Sequence, residues 1–411
     1  MQDSNVNEMN RSTPYITKTE ENVLHTYNRF PVVFESGEGV RLKDVNGKEY
    51  LDFGAGIAVF ALGYGCGAYN EALKAQVDAL IHTSNLFYNI PLSEAAEKLI
   101  TAAGMGEGSR AFFTNSGTEA IEGALKAARK YAWNKEKRDD HEFIAMRQSF
   151  HGRSIGALSV TGNDHYQEAF RPLMGGVRFA DFNDFESVLA QVNERTCAII
   201  LETVQGEGGI YPAQPDFLRK IRALCDEKDI LLILDEIQCG MGRCGAMYAW
   251  QKYGVAPDII TTAKALGCGI PVGAFVLNGK TAASSLVPGD HGTTYGGNPL
   301  ACAAVSKVFD LFEECALVEH VNAITPYLEK KLDELVGAFD CLSERRGMGL
   351  MQGIVVKDIP VGKIVAAALE EGLVILSAGS DVLRFVPPLV IREGDIDEMA
   401  QKLSRVLKRL S

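Results

Sequence analysis

From about residue 75, short apolar runs alternate along the chain with segments of helical spacing. The apolar runs predict buried strands at residues 111–113, 143–146, 198–201, 230–234 and 259–260. Apolar positions with helical spacing predict helices at residues 118–133 and 217–228. Strands that are apolar throughout and separated by helices are typical of a mainly parallel sheet covered on both faces. The pattern therefore predicts an α/β fold.

The two ends of the chain have different patterns. Residues up to about 35 are polar and predict an irregular arm, and two alternating runs then flank Asn46-Gly47, which indicates a hairpin. The last hundred residues predict helices at 302–314 and 327–336 and strands at 347–356 and 383–385. We therefore expect an N-terminal arm with a segment joining the small domain (1–75), a large domain (76–305) and a smaller α+β domain (306–411).

Composition and charge narrow the class of protein. The chain is 46% hydrophobic and 23% charged, which is typical of soluble globular proteins. Its formal net charge of -12 disfavours nucleic acid as a partner, because the phosphate backbone binds basic faces. The nine cysteines include no Cys-x-x-Cys pair, which predicts reduced thiols, a cytoplasmic location and no metal site. No apolar stretch suggests a signal peptide or a membrane span.

Three motifs lie where strands of the predicted sheet end. In the first, Thr114 to Glu119, a small hydroxyl-rich turn precedes a helix; it suits either an anion such as phosphate or an ordinary helix cap. In the second, Asp235 ends an apolar run, and a carboxylate there needs a cation, such as a protonated pyridine nitrogen, or simply caps the strand.

The third motif contains Lys264 in an uncharged, glycine-rich stretch, which is unusual for a surface lysine. Desolvation would lower the pKa of its amine and make it nucleophilic. A phosphate cup, an acid for a ring nitrogen and a lysine for an aldehyde are together what proteins provide for pyridoxal 5'-phosphate (PLP). The set therefore predicts a PLP site.

From about Tyr27 to Leu407 the chain resembles the class III aminotransferases of PLP fold type I. That fold has a large domain with a mainly parallel central sheet and a smaller α+β domain. The most specific stretches of the resemblance are at residues 113–120, 205–209, 235–243, 263–267, 294–301 and 384–389. Within the family, the chain is most similar to the members that act on N-acetylornithine.

The resemblance implies a set of cofactor-binding residues, which are Ser116, Gly117, Thr118, Phe150, Asp235, Gln238, Lys264 and Thr294. Lys264 and Asp235 are implied to be catalytic: Lys264 forms the Schiff base with PLP and moves the proton, and Asp235 pairs with the ring nitrogen. Thr294 is implied to complete the phosphate site of the other subunit. We therefore expect a homodimer with shared active sites.

The implied reaction transfers the terminal amino group of N-acetylornithine to 2-oxoglutarate, giving N-acetylglutamate semialdehyde and glutamate in arginine biosynthesis. Arg153 is implied to bind the far carboxylate of either substrate, and Thr293 to contact substrate. Glutamate needs a second arginine near the cofactor, for which Arg384 fits. With the other substrate that arginine would be unpaired, so Glu207 is implied to pair with it and to swing away for glutamate.

Four positions depart from the family's usual pattern. Thr203 replaces a proline, Cys268 replaces a glycine and Thr293 replaces a serine. Tyr64-Gly65-Cys66 replaces a segment that commonly contains histidine. They leave the choice of amino donor open among acetylornithine, succinylornithine, ornithine and GABA.

Two other classes remain as alternatives, a non-catalytic homologue and a dinucleotide-binding protein. The intact Lys264 and Asp235 argue against the first. No Gly-x-Gly-x-x-Gly follows the first strand, which argues against the second.

Overall fold

The computed structural model describes residues 10–410. Its strands are β1 (Phe34–Glu38), β2 (Arg41–Asp44), β3 (Glu49–Asp52), β4 (Arg110–Thr114), β5 (Glu142–Met146), β6 (Val177–Ala180), β7 (Thr196–Glu202), β8 (Val204–Gln205), β9 (Tyr211–Pro212), β10 (Leu231–Asp235), β11 (Ile259–Thr262), β12 (Gly273–Leu277), β13 (Leu342–Met348), β14 (Met351–Val356), β15 (Leu373–Val374), β16 (Leu376–Ala378) and β17 (Val382–Phe385).

The helical segments are α1 (Thr13–Asn22), α2 (Ala55–Ala58), α3 (Gly67–Ala79), α4 (Ile90–Ala103), α5 (Gly117–Glu136), α6 (Ile155–Ser159), α7 (Asp164–Gln167), α8 (Phe185–Leu189), α9 (Pro215–Lys228), α10 (Gly279–Ser284), α11 (Pro299–Glu314), α12 (Leu317–Ala338), α13 (Val361–Glu370) and α14 (Glu393–Leu410). Short 3₁₀ turns lie at Glu168–Phe170, Ala249–Lys252 and Lys264–Leu266.

The central sheet has the strand order β4-β12-β11-β10-β7-β5-β6. The pairs from β11 through β6 are all parallel, and β12 runs antiparallel to both of its neighbours. The mainly parallel sheet predicted from the apolar runs is therefore confirmed. No strand was predicted at residues 273–277, so both β12 and its antiparallel direction were missed.

Helices cover both faces of this sheet and make its interior strands wholly buried. Every residue of β5, β7 and β10 is buried, which explains why these strands are apolar along nearly their whole length. On one face α5 packs with residues such as Ile121 and Phe275 in one apolar cluster. The other face joins a larger cluster that also includes α9, α11 and α12.

Two smaller sheets complete the fold. The predicted hairpin is confirmed, since β2 and β3 pair in antiparallel fashion, and β3 also pairs with β15 near the other end of the chain. The predicted C-terminal strands form the sheet β13-β14-β17-β16. The domain boundaries at residues 75 and 305 stay a prediction.

The irregular arm predicted for the first 35 residues is wrong for residues 13–22, which form α1. Pro14 lies in the first turn of α1, where its missing N–H costs nothing and its fixed φ favours the helix. No residue of α1 is buried, so no apolar stripe marks it in the sequence. Residues 10–12 and 23–33 form neither helix nor strand, as predicted, and residues 1–9 lie outside the described residues.

The register of the central sheet brings chemically distinct side chains to one edge. In the parallel ladder, Asp235 at the end of β10 lies level with Glu202 at the end of β7 and with Thr261 of β11. The segment from Lys264 to Val272 joins β11 to the antiparallel β12 at this same edge. Ligands of open α/β sheets bind at this carboxyl edge. Between residues 10 and 410, no helix is long and apolar enough to cross a membrane.

Candidate active site

A cavity of about 470 Å³ lies at the carboxyl edge of the central sheet. Predicted site residues line it, namely Ser116, Gly117, Thr118, Phe150, Arg153, Asp235, Gln238 and Lys264. These residues follow β4, β5, β10 and β11 in the chain, so strand order alone brings them together. The size suits a small organic ligand, since such pockets enclose about 300–1,000 Å³.

The first turn of α5 forms one wall of the cavity. The Ser116 side chain caps this helix by accepting the N–H of Glu119 at 3.2 Å, so the capping interpretation of the motif is correct. The N–H groups of the first turn have no acceptor within the helix and carry its positive dipole, which favours an anion. The two interpretations of the motif are therefore compatible.

Two glycines let the backbone close around this helix end. A Cβ built on Gly117 would lie 2.9 Å from Cδ1 of Ile237, and one on Gly152 only 2.1 Å from Oγ1 of Thr118. Gly152 also has φ of +138°, a conformation that side chains rarely adopt. The Thr118 hydroxyl in turn accepts the N–H of Arg153 at 3.2 Å. Any larger residue at either glycine would push this cradle open.

Asp235 is buried and held by three groups. Its Oδ2 lies 2.7 Å from Nδ1 of His151, and its Oδ1 accepts the N–H of Ile237 at 3.0 Å and the hydroxyl of Thr261 at 3.2 Å. The His151 side chain has 0% exposure and that of Asp235 3%. These contacts fix the direction of the carboxylate while the cavity remains beside it. His151 thereby positions Asp235, a role that sequence analysis missed.

Glu202 supports the wall next to Asp235. Its carboxylate accepts the N–H groups of Phe150 at 3.0 Å and of Gly206 at 2.9 Å, and so joins the loops after β5 and β7. Burial raises the pKa of Glu202 to about 7, and the nearby charge of Asp235 acts in the same direction. Glu202 therefore ties two loops together near neutral pH without requiring a full charge.

Lys264 begins the 3₁₀ turn after β11 and has φ of +51°, in the left-handed region. A non-glycine residue held in this region is strained, and such strain persists where surrounding contacts hold the residue, as at many functional sites. The pKa of Lys264 is lowered to about 8, mainly by burial; the charge of Glu207 opposes this shift and the positive charge of Arg384 adds to it. About a tenth of this amine is therefore neutral, and hence nucleophilic, at pH 7, and about half at pH 8.

Arg384, Glu207 and Gln238 form a connected group. One guanidinium nitrogen of Arg384 donates to both the Glu207 carboxylate and the Gln238 amide oxygen, the latter at 3.1 Å. Its Nε is buried without a partner. Burial alone would raise the pKa of Glu207, but the charge and hydrogen bond of Arg384 hold it below its usual value. The structure thus pairs Arg384 with Glu207, and the outward movement of Glu207 for glutamate stays a prediction.

Arg153 lies at the exposed rim of the cavity. Its guanidinium carbon is 3.9 Å from the centroid of the Tyr166 ring and 5.6 Å from that of Phe150. Stacking on aromatic rings holds a guanidinium in place while its N–H groups stay free for a carboxylate. Tyr166 was not predicted as part of the site.

Thr293 and Thr294 do not line this cavity. They lie in a second recess with Asn85, and Thr294 is exposed. The hydroxyl of Thr293 accepts the N–H of Gly296 at 3.1 Å and the side-chain amide of Asn115 at 3.4 Å. The role of Thr294 in the site of a second subunit stays a prediction.

The family model described as aminotransferase class-III matches residues 23–407 of the chain. The chain belongs to the class III aminotransferases. It is thus an enzyme of the transaminase type, and the Lys264 cavity is the natural candidate for its active site.

Relatives within the class III aminotransferases match over nearly the whole chain. The acetylornithine aminotransferase of Methanocaldococcus jannaschii is 44% identical over 94% of this chain and 96% of its own length. That of Aquifex aeolicus is 44% identical over 94% of this chain and 99% of its own length.

Solved structures of class III enzymes share the fold. The N-acetylornithine aminotransferase of Stenotrophomonas maltophilia has a TM-score of 0.83 and 37% identity, covering 96% of this chain and 99% of its own. An ornithine aminotransferase of Toxoplasma gondii has a TM-score of 0.92 and 30% identity, covering 98% of this chain and 95% of its own. The active site of that enzyme is partly occupied by PLP. The predicted PLP fold type I is therefore confirmed.

Proposed function

We propose that this aminotransferase moves the terminal amino group of N-acetylornithine to 2-oxoglutarate, with PLP as its cofactor and Lys264 and Asp235 as its catalytic residues. The observation that carries the proposal is the pairing of Arg384 with Glu207 beside a cavity that contains a lysine of lowered pKa. The relatives named acetylornithine aminotransferase at 44% identity support the same donor.

The residues at the cavity fit PLP. The cradle made by Gly117, Gly152 and the start of α5 suits a phosphate, because it combines close backbone approach with free N–H groups. Asp235 offers a buried, oriented carboxylate to a ring nitrogen, and Lys264 an amine to an aldehyde. When bound, PLP supplies an electron sink through its ring.

The chain's own groups then have separate tasks. Asp235 would present its carboxylate to the ring nitrogen, and His151 holds that carboxylate in direction. The Lys264 amine, neutral above about pH 8, would accept and return a proton at the substrate carbon next to nitrogen. Phe150 and Ile237 narrow the cavity around this point and limit the access of water.

Charge explains how one site serves two substrates. Arg153 at the rim is free to bind the far carboxylate of either one. Glu207 neutralises Arg384 while an aliphatic chain lies beside it. A glutamate α-carboxylate can replace Glu207, whose side chain is 28% exposed and has room to turn outward. The acetyl group of the donor also matters, because the free α-ammonium of ornithine would meet the like charge of Arg153.

We also propose a homodimer with shared sites. Large apolar side chains are exposed close to the recess of Thr294; they include Leu86 at 88% exposure, Phe87 at 67%, Tyr88 at 105% and Tyr295 at 62%. A contiguous apolar surface of this kind favours a protein partner. A second copy bound at this surface would bring the Thr294 of one subunit toward the Lys264 cavity of the other. The cytoplasmic location stays a prediction.

A panel of amino donors tests the proposed reaction. N-acetylornithine, N-succinylornithine, ornithine and GABA should each be assayed with 2-oxoglutarate, with Lys264→Ala as the inactive control. We expect the highest kcat/KM with N-acetylornithine and at least tenfold less with ornithine, a ratio that corresponds to about 1.4 kcal/mol of like-charge repulsion. Ornithine or GABA as the best donor would contradict the proposed donor but leave the transaminase assignment unchanged.

A further inference from the structure

The segment α2 is a left-handed turn, not an ordinary helix. Its residues Ala55, Gly56, Ile57 and Ala58 have φ of 47°, 61°, 67° and 62°. Consecutive left-handed residues are rare, because Cβ then crowds the next carbonyl oxygen, and Ile57 is β-branched. The turn is closed by hydrogen bonds, such as that from the N–H of Ala58 to the carbonyl of Gly54 at 3.0 Å. Other groups must therefore hold this strained turn in place.

The buried carboxylate of Asp52 is the group that starts the turn. It accepts the N–H of Gly54 at 2.7 Å and the N–H of Ala55 at 3.0 Å. The hydroxyl of Tyr64 donates to its other oxygen at 2.6 Å. Backbone hydrogen bonds between Tyr64 and Gly39, at 2.7 and 2.8 Å, fix Tyr64 from behind. The phenol thus orients Asp52, and Asp52 orients the turn.

The turn leads directly into the wall of the active-site cavity. It packs against the 3₁₀ turn that begins with Lys264, and the next residue, Val59, lines the cavity. Phe60 follows and stacks on Tyr64, with ring centroids 4.6 Å apart. On its other side Phe60 approaches Gly269, a residue of the cavity wall, so closely that a Cβ there would lie 3.0 Å from the ring.

We propose that Tyr64 and Asp52 are a pair of positioning residues that hold the left-handed turn, and through it the cavity wall beside Lys264, in the arrangement that binds the amino donor. Neither residue touches the reacting atoms; both act through Val59 and Phe60. The identity of the amino donor here rests on the proposed function, whereas the role of the pair in holding the turn does not. It assigns a role to a tyrosine at a position where the chain departs from the histidine-containing pattern of its family.

The test compares Tyr64→Phe with a matched control, Tyr50→Phe. Tyr50 also donates its hydroxyl to a buried aspartate, Asp44, at 3.0 Å, but in the hairpin and not at the cavity. Both variants keep the ring and lose one Tyr–Asp hydrogen bond, so their melting temperatures should fall to a similar extent. Only Tyr64→Phe should raise KM for the donor, by about fivefold for one lost hydrogen bond, with kcat changed less than twofold.

Hydrogen–deuterium exchange gives a readout that does not depend on activity. Amides of residues 57–60 should exchange faster in Tyr64→Phe than in wild type and stay unchanged in Tyr50→Phe. If both variants show the same KM and the same exchange in this peptide as wild type, the pair only stabilises the fold and the proposal is overturned. A wild-type protein that uses none of the donors would instead refute the proposed reaction, and the exchange result would still decide the role of the pair.

Discussion

The pair formed by Arg384 and Glu207 allows a quantitative prediction for Glu207→Gln. The Arg384 side chain is only 4% exposed, and its Nε has no partner. Glutamine at position 207 keeps an acceptor oxygen but loses the negative charge. Only the amide oxygens of Gln238 and of the introduced glutamine would then face the buried guanidinium of Arg384. Removing one partner of a buried pair typically costs about 3–5 kcal/mol. Because Glu207 is 28% exposed and the amide still accepts a hydrogen bond, we expect about 2 kcal/mol.

This cost should appear in only one half of the reaction. With N-acetylornithine, Arg384 faces an aliphatic chain, and about 2 kcal/mol corresponds to a roughly 30-fold slower half-reaction. With glutamate, the substrate carboxylate itself pairs with Arg384, so the rate should change by less than about threefold. Since the pKa of Glu207 lies below its usual value, the carboxylate stays charged from pH 6 to 8 and the difference should not vary there.

Single-turnover rates for the two half-reactions, followed by cofactor absorbance, measure the effect. Glu344→Gln is the matched control, because Glu344 pairs with Arg346 at 2.8 Å but is 58% exposed and does not touch Arg384 or line the cavity. An exposed pair contributes little, so this variant should behave as wild type. A larger loss with glutamate than with N-acetylornithine, or equal losses in both halves, would refute the charge-compensation argument.

Further predictions concern the cofactor site. Lys264→Ala should reduce transamination by several orders of magnitude. Wild-type protein freed of cofactor should take up PLP faster as pH rises, and the uptake rate should level off above about pH 8, where the Lys264 amine is neutral. An uptake rate independent of pH would contradict this reasoning. Asp235→Ala should lower the rate far more than PLP occupancy, measured by absorbance, and equal losses would contradict its role. For the shared site, we expect a hybrid dimer of one Thr294→Glu subunit and one Lys264→Ala subunit to recover about half of wild-type activity. If Thr294 serves the site of the other subunit, one site carries both substitutions and the other site carries neither. A folded but inactive hybrid would place Thr294 in the site of its own subunit.

Local patterns predicted five of the seven strands of the central sheet and the chemistry at their ends. Apolar runs without alternation predicted the strands that end at Asp235 and Thr262, because a strand buried on both faces is mostly apolar and carries its few polar residues near its end. A lysine in an uncharged stretch and an acid at a strand end were conspicuous for the same reason, since burying them needs a partner. Local periodicity and the cost of burying charge were sufficient for these predictions.

The tertiary structure alone decided which distant groups meet. His151 and Asp235 are 84 residues apart, and only the order of β5, β7 and β10 brings them to 2.7 Å. The link from Tyr64 through Asp52 to the cavity depends on a left-handed turn, which backbone strain would disfavour in any prediction from local preferences. α1 was missed because it buries no residue and so shows no apolar stripe. The antiparallel direction of β12 depends on its pairing with β4 and β11, which no local pattern reports. Sequence periodicity reports burial, whereas contacts between loops depend on how the strands are ordered in the sheet.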